Sequence, residues 1–147
     1  MSKLSFKSFC IEYYAEHIGK PSNEVYLLFK KEKLLDLLDT DYDDLHGMGM
    51  EYLMCFFDDY LGKSTESYCI TTHATVRATL TPEIIRLIME KYSLSESDTL
   101  DKFYTSAASA SFADDETGLY GQSALYVFGV FDEEMRDKDK LEGFVNG

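Results

Sequence analysis

Asp114–Phe131 reads DDETGLYGQSALYVFGVF: three acids, a Gly-Leu-Tyr-Gly turn, then a dense apolar run. Moved back by 74 positions, the same frame covers Thr40–Phe57, TDYDDLHGMGMEYLMCFF. The segments share Asp115 with Asp41, Leu119 with Leu45, Gly121 with Gly47, Tyr126 with Tyr52 and Phe131 with Phe57, without a gap. Extended to Ser22–Leu61 and Glu96–Met135, the frame adds Phe29 with Phe103 and Asp58 with Asp132. Character is kept at Leu53/Val127, Met54/Phe128, Leu61/Met135, Ile11/Ile85 and Tyr14/Ile88. An ungapped match of this kind predicts an internal duplication, two small helical modules of one topology.

Apolar spacing predicts the helices. Phe6, Phe9, Cys10, Tyr13, Tyr14 and His17 or Ile18 fall at three- and four-residue steps, with Gly19 at the stop. Ser22 is the expected cap of a second helix carrying Val25, Leu28 and Phe29. Leu34, Leu35, Leu37 and Leu38 continue an apolar face. Asp41 is expected to cap a short helix that Gly47 ends, and Met50–Leu61 is a last helix. In the second half Thr81-Pro82-Glu83 reads as a start, Ile84–Tyr92 as its helix, Ser95 as the next cap and Ser123–Met135 as the last helix. Ala107–Phe112 has no decisive pattern. The domain reading is therefore a module over 1–61, a linker over 62–80, a module over 81–137 and a polar tail over 138–147. A short strand at Cys69–Ala78, where Ile70, Thr72, Ala74 and Val76 alternate, is the other reading of the linker. The fold class is all-α. Each final helix opens on an apolar run, MEYLMCFF or ALYVFGVF, which predicts burial on most sides. A module of about 60 residues buries little surface alone, so the two last helices are expected to pack on each other.

The 147 residues carry a formal net charge of −13, spread evenly: 7 Lys/Arg against 13 Asp/Glu over 1–73, and 7 against 14 over 74–147. Such a surface repels nucleic acid and anionic membrane and suits a basic protein partner. Cys10, Cys55 and Cys69 have no paired spacing. Cys10 and Cys55 sit in apolar runs and read as small buried hydrophobes, and the odd count fits a reducing, cytoplasmic setting. No apolar run approaches the ~20 residues of a membrane span.

No catalytic or metal-binding set assembles in the sequence. Asp39, Asp41 and Asp43 imitate the first ligands of a calcium loop, but its glycine position is Asp44 and its bidentate glutamate position is Met50. His17, His46 and His73 are scattered, which argues against zinc. Ser106–Ser111 has neither a glycine elbow nor a nearby histidine. There is no phosphate-binding glycine loop, so no cofactor is expected. The acidic-aromatic turn remains, present in both halves. It can cap a short helix and steer the chain into the last helix. It can also present Asp41, Tyr42, Asp43, Asp44 and His46, or Asp114, Asp115, Glu116 and Tyr120, to a protein partner.

Phe9–Leu61 resembles a small bacterial domain family of unknown function, with an FCIExYA-like first helix, a VYxLFKK second helix, a Y-D-x-LH turn and a closing YLxxDIDxYI helix. Tyr42, Asp43, Leu45, His46, Tyr52, Leu53, Asp58 and Tyr60 fall on that pattern, and MCFFDD departs from it where the family is more polar. Asp98–Phe131 resembles a second small family with an FYxS…DDETGLYxxSxxYV pattern. There Phe103, Tyr104, Ser106, Asp114, Asp115, Thr117, Gly118, Leu119, Tyr120, Ser123, Tyr126 and Val127 match. Genes of both kinds often lie beside a small protein that looks like an ADP-ribosyltransferase. The resemblance thus implies a non-enzymatic, antitoxin-like or accessory partner of such an effector. An enzyme or enzyme subunit using the acidic turns, and a self-associating scaffold, are the alternative readings.

Overall fold

The computed structural model of the chain describes residues 2–62 and 72–146. The described residues are helical throughout, in the order α1 (Lys3–Ile18), α2 (Ser22–Lys31), α3 (Leu34–Thr40), α4 (Tyr42–Leu45), α5 (Met50–Leu61), α6 (Thr72–Tyr92), α7 (Glu96–Tyr104), α8 (Ala107–Ala113) and α9 (Ala124–Asn146). Two short 3₁₀ turns, Asp115–Thr117 and Leu119–Gly121, lie between α8 and α9. The chain divides into two compact units, Met1–Pro82 and Glu83–Gly147.

In Met1–Pro82, α1 is the axis. Leu4, Phe6, Cys10, Ile11 and Tyr14 line its buried side, and Gly19, left-handed at φ 71°, stops it with its amide on the Ala15 carbonyl. Tyr14, Phe29 and Phe57, from α1, α2 and α5, form an aromatic centre. Their ring centroids are 5.3–5.7 Å apart and none is exposed to solvent. Burying such rings contributes roughly 1.5–3 kcal/mol each. Lys7, itself buried, pairs with Asp39 at 2.9 Å and ties α1 to α3. Cys10 is fully buried, and burial pushes its thiol well above the usual range, so it serves as a small apolar residue.

In Glu83–Gly147 the same ring positions are used. Phe103 and Phe131 are fully buried with centroids 6.3 Å apart, and Phe112 joins Phe103 at 6.4 Å. Ser95 accepts the Asp98 amide, Ser106 the Ser109 amide and Ser123 the Tyr126 amide, each at 3.1 Å, so three serines cap α7, α8 and α9.

Several expectations are corrected. Residues 72–80, read as linker or strand, are the first turns of α6; 63–71, with the start of the alternative strand, lie outside the described residues. Packing explains the helix. Ala74, Arg77 and Ala78 are buried, the Tyr13 and Thr75 hydroxyls meet, and Arg77 reaches Glu16 at 3.4 Å, so β-branched composition is overridden. Thr81-Pro82-Glu83 is accordingly inside α6 and starts nothing, and the Thr81 hydroxyl donates to the Arg77 carbonyl at 2.7 Å. Pro21, not Ser22, is the cap position of α2, with Ser22 its buried first residue. Asp41 precedes α4 without a side-chain capping bond. Ala107–Phe112 is helical because Ser106 caps it. The expected polar tail continues α9 to Asn146, a stretch rich in Glu, Lys and Asp with a Glu134–Lys138 pair at 3.2 Å. The two last helices do not bury most sides. In α5 one stripe is buried, Leu53, Met54, Phe57 and Asp58; among the described side chains of α9 it is Ala124, Val127, Phe131 and Asp132. Cys55 is exposed, contrary to its reading as a core residue, because it falls outside that stripe.

Candidate functional site

The acidic turns are on the surface. In the first, Asp43, Asp44 and His46 are exposed, while Asp41 and Tyr42 are half-buried. Tyr42 is held in place: Phe6 meets it edge-on at 5.6 Å, and His46 stacks on it at 4.4 Å with the planes 8° apart. His46 Nδ1 donates to the Tyr42 carbonyl at 2.7 Å, one turn back. In the second, Asp114, Asp115 and Glu116 are exposed and Tyr120 is half-buried. Asp114 accepts the Glu116 amide at 3.0 Å, and Gly118 takes the left-handed conformation at φ 72°. In each turn the acids Asp43 and Asp44, or Asp114, Asp115 and Glu116, are exposed, with a half-buried tyrosine nearby. Among the described residues, no group of three or more His, Cys, Asp or Glu is placed to hold a metal ion.

Two further constellations were missed by sequence reasoning. The first is a row on α5. Tyr52 is 53 % exposed and Tyr60 45 %, with half-buried Phe56 between them. Successive centroids are 6.5 and 6.3 Å apart with the planes 18° and 27° from parallel. The Tyr60 hydroxyl donates to the Glu32 carbonyl at 2.9 Å and anchors one end. The signal was the i, i+4, i+8 spacing of the rings, hidden by the reading of the whole run as core.

The second is a buried carboxylate in each unit. Asp58 accepts the Tyr14 hydroxyl at 2.9 Å and His17 Nε2 at 2.8 Å. Asp132 accepts the Lys91 ammonium and the Tyr92 hydroxyl at 2.6 Å each, and the Arg136 guanidinium closes on its other oxygen. The Lys91 and Tyr92 bonds hold the Asp132 carboxyl far below the ordinary carboxylate range, against the opposing effect of burial. Burial, then the bond to Asp132, pushes the Tyr92 hydroxyl up to about 12. Burial and Asp58 likewise raise the Tyr14 hydroxyl. The Asp58/Asp132 identity is legible in the sequence, whereas the burial of both acids is not.

Residues 5–63 match the model of a family described as a protein of unknown function, DUF3791. The match spans α1 to α5, including the first acidic turn and the tyrosine row. No curated protein and no solved structure matches the chain. Among the described residues no helix is long and apolar enough to cross a membrane.

Proposed function

We propose that the chain is a non-enzymatic protein-binding module whose partner presents a basic face. The observation that carries this reading is the acidic turn in each unit, where Asp43 and Asp44, or Asp114, Asp115 and Glu116, are exposed on a structured turn. Acids fixed this way raise the encounter rate with a cationic surface more than they deepen affinity. The net charge of −13 works in the same direction. The partner to test first is the ADP-ribosyltransferase-like neighbour implied by the resemblance, toward which the role is antitoxin-like.

The two units are, in this proposal, copies of one ancestral module. In support, α2 and α7 begin 74 residues apart, as do α5 and α9. Phe29/Phe103, Phe57/Phe131 and Asp58/Asp132 are all buried at that offset. The likeness of the second half to a separate small family is part of the same proposal.

The test is co-expression. The wild-type chain should form a complex with the effector and relieve its toxicity. Changing Asp43, Asp44 and Asp115 to Asn and Glu116 to Gln should slow association by about tenfold at low salt, with the fold intact and the gap narrowing as salt rises. A harmless effector, or turnover of a nucleotide by the purified chain alone, defeats the proposal.

A further inference from the structure

Three rings in one row on an exposed helix face need a reason beyond the scatter of single apolar residues found on any surface. Phe56, at the middle of the row, meets the buried Phe57 edge-on at 5.7 Å and is flanked by the Tyr52 ring at 6.5 Å, while Tyr60 is anchored to the Glu32 carbonyl. At Phe56 an occupant meets a ring already in place, which reduces the ordering that binding requires. The electrostatic setting is one-sided. Between Lys33 and Lys63 the exposed acids are Asp36, Asp43, Asp44, Glu51 and Asp59, and the stretch holds neither Lys nor Arg. On α5 the adjoining exposed row is Glu51, Cys55 and Asp59, each one residue before a ring of the tyrosine row.

We propose that the Tyr52–Phe56–Tyr60 face of α5 is a docking surface for an arginine-bearing segment of a partner protein; the proposal rests on the reading of the chain as a protein-binding module. A guanidinium is planar, stacks on an aromatic face and pairs with a carboxylate through two parallel donors. Tyr52 and Phe56 supply the faces, and Glu51 supplies a carboxylate one residue away. Glu32, which anchors Tyr60, lies between the exposed Lys31 and Lys33, so the arginine is directed to the Tyr52 end of the row. Charge selects against the other occupants. A second copy docking through the same face would bring a second Glu51 and Asp59 against the first, and a phosphate backbone or anionic lipid meets the same repulsion. The surface belongs to the first unit alone. The matching row on α9 is Tyr126, Val130 and Glu134, and Glu134 accepts the Ala107 and Ala108 amides at 3.1 and 2.8 Å.

The experiment is an NMR titration of the full chain with a short peptide alternating arginine and alanine, beside matched peptides carrying citrulline or lysine. Ring resonances of Tyr52 and Phe56 should move with the arginine peptide, while those of the buried Tyr26 and Tyr104 stay put. Affinity should follow the order arginine, lysine, citrulline, and Tyr52→Ser, at an exposed position, should weaken arginine binding about tenfold with an unchanged circular dichroism spectrum. Glu51→Gln should weaken it less. Equal binding of the citrulline peptide, shifts confined to Asp43, Asp44 and the second turn, no binding, or self-association relieved by Tyr52→Ser would each overturn the assignment. A complex with the effector that is indifferent to Tyr52→Ser defeats this surface but leaves the module reading standing. Arginine-peptide binding by a chain that ignores the effector defeats the antitoxin reading alone.

Discussion

Met1–Pro82 and Glu83–Gly147 bury a carboxylate at the same register of their last helix, but surround it differently. Asp58 is held by Tyr14 and His17, whose side chains are inside the unit. Asp132 is held by Lys91, Tyr92 and Arg136, and the Lys91 and Arg136 side chains are 44 % and 66 % exposed. His17 and Lys91 are 74 residues apart, as Asp58 and Asp132 are, whereas the hydroxyls do not keep that spacing. Ile88 stands where Tyr14 does, and Tyr92, one helical turn later, supplies the oxygen. The same job, fastening the first helix to the last through one acid, is done once with an interior donor set and once with a set open to water. In both units a hydroxyl and a basic group reach the acid, but the hydroxyls come from different positions along the first helix.

The largest expected effect addresses what the units share. Phe57→Ala and Phe131→Ala each remove a fully buried ring that contacts another buried ring. Each should destabilise its unit by about 3–5 kcal/mol, the range for emptying a phenylalanine site. Denaturant unfolding of both variants measures this. Near-equal losses sharpen the comparison; a loss at one site below about 1 kcal/mol breaks it.

The next effect addresses what differs. Asp58→Ala takes the acceptor from two groups with little access to water and should cost about 2–4 kcal/mol. Asp132→Ala should cost about 1–2 kcal/mol, because Lys91 and Arg136 can turn to solvent. Reversal of that order would show that exposure of the partners does not govern the two sites. pH separates the contributions further. Asp132 has a folded pKa below its unfolded value of about 3.9, so its contribution is present above that pH and is lost as pH falls through and below it. Tyr92 is raised from its ordinary 10.0 to about 12, so its contribution is complete below pH 10.0 and disappears between 10.0 and about 12. Thermal melts across both limbs, with Tyr92→Phe as control, should show the alkaline loss shrink in that variant.

What was legible in the sequence was the part encoded by local pattern. Gly19, Ser95 and the ring positions Phe29, Phe57, Phe103 and Phe131 could be read because capping and helical spacing are short-range. The helix through 72–80 was hidden because Thr75, Val76 and Thr79 argue locally for strand or loop, and only packing of Ala74, Arg77 and Ala78 decides for helix. Asp58 and Asp132 were hidden because burial of an acid depends on partners 40–44 residues away. The tyrosine row was hidden for the opposite reason: Tyr52, Phe56 and Tyr60 are apolar enough to pass for core, and exposure is not written in residue type. In the acidic turns the sequence marked the residues, whereas the stacking of His46 on Tyr42 required three dimensions.

The smallest effect concerns how each first helix ends. Gly19 follows α1 at φ 71°, and Ser93, 74 residues further on and just after α6, is also left-handed at φ 54°. Glycine reaches that region without penalty, and serine does so against the crowding of its Cβ. A Cβ built on Gly19 meets nothing within 4 Å, so the backbone angle alone determines the outcome there. Gly19→Ser should therefore destabilise Met1–Pro82 by about 0.5–1 kcal/mol, and Ser93→Gly should stabilise Glu83–Gly147 by somewhat less, because added freedom in the unfolded chain offsets part of the relief. Opposite signs in the two melts would mean that one helix stop is used twice and that the second unit tolerates a strained copy of it. Destabilisation by Ser93→Gly would instead mean that the serine side chain contributes more than its backbone strain removes, and the equivalence of the two helix ends would be lost.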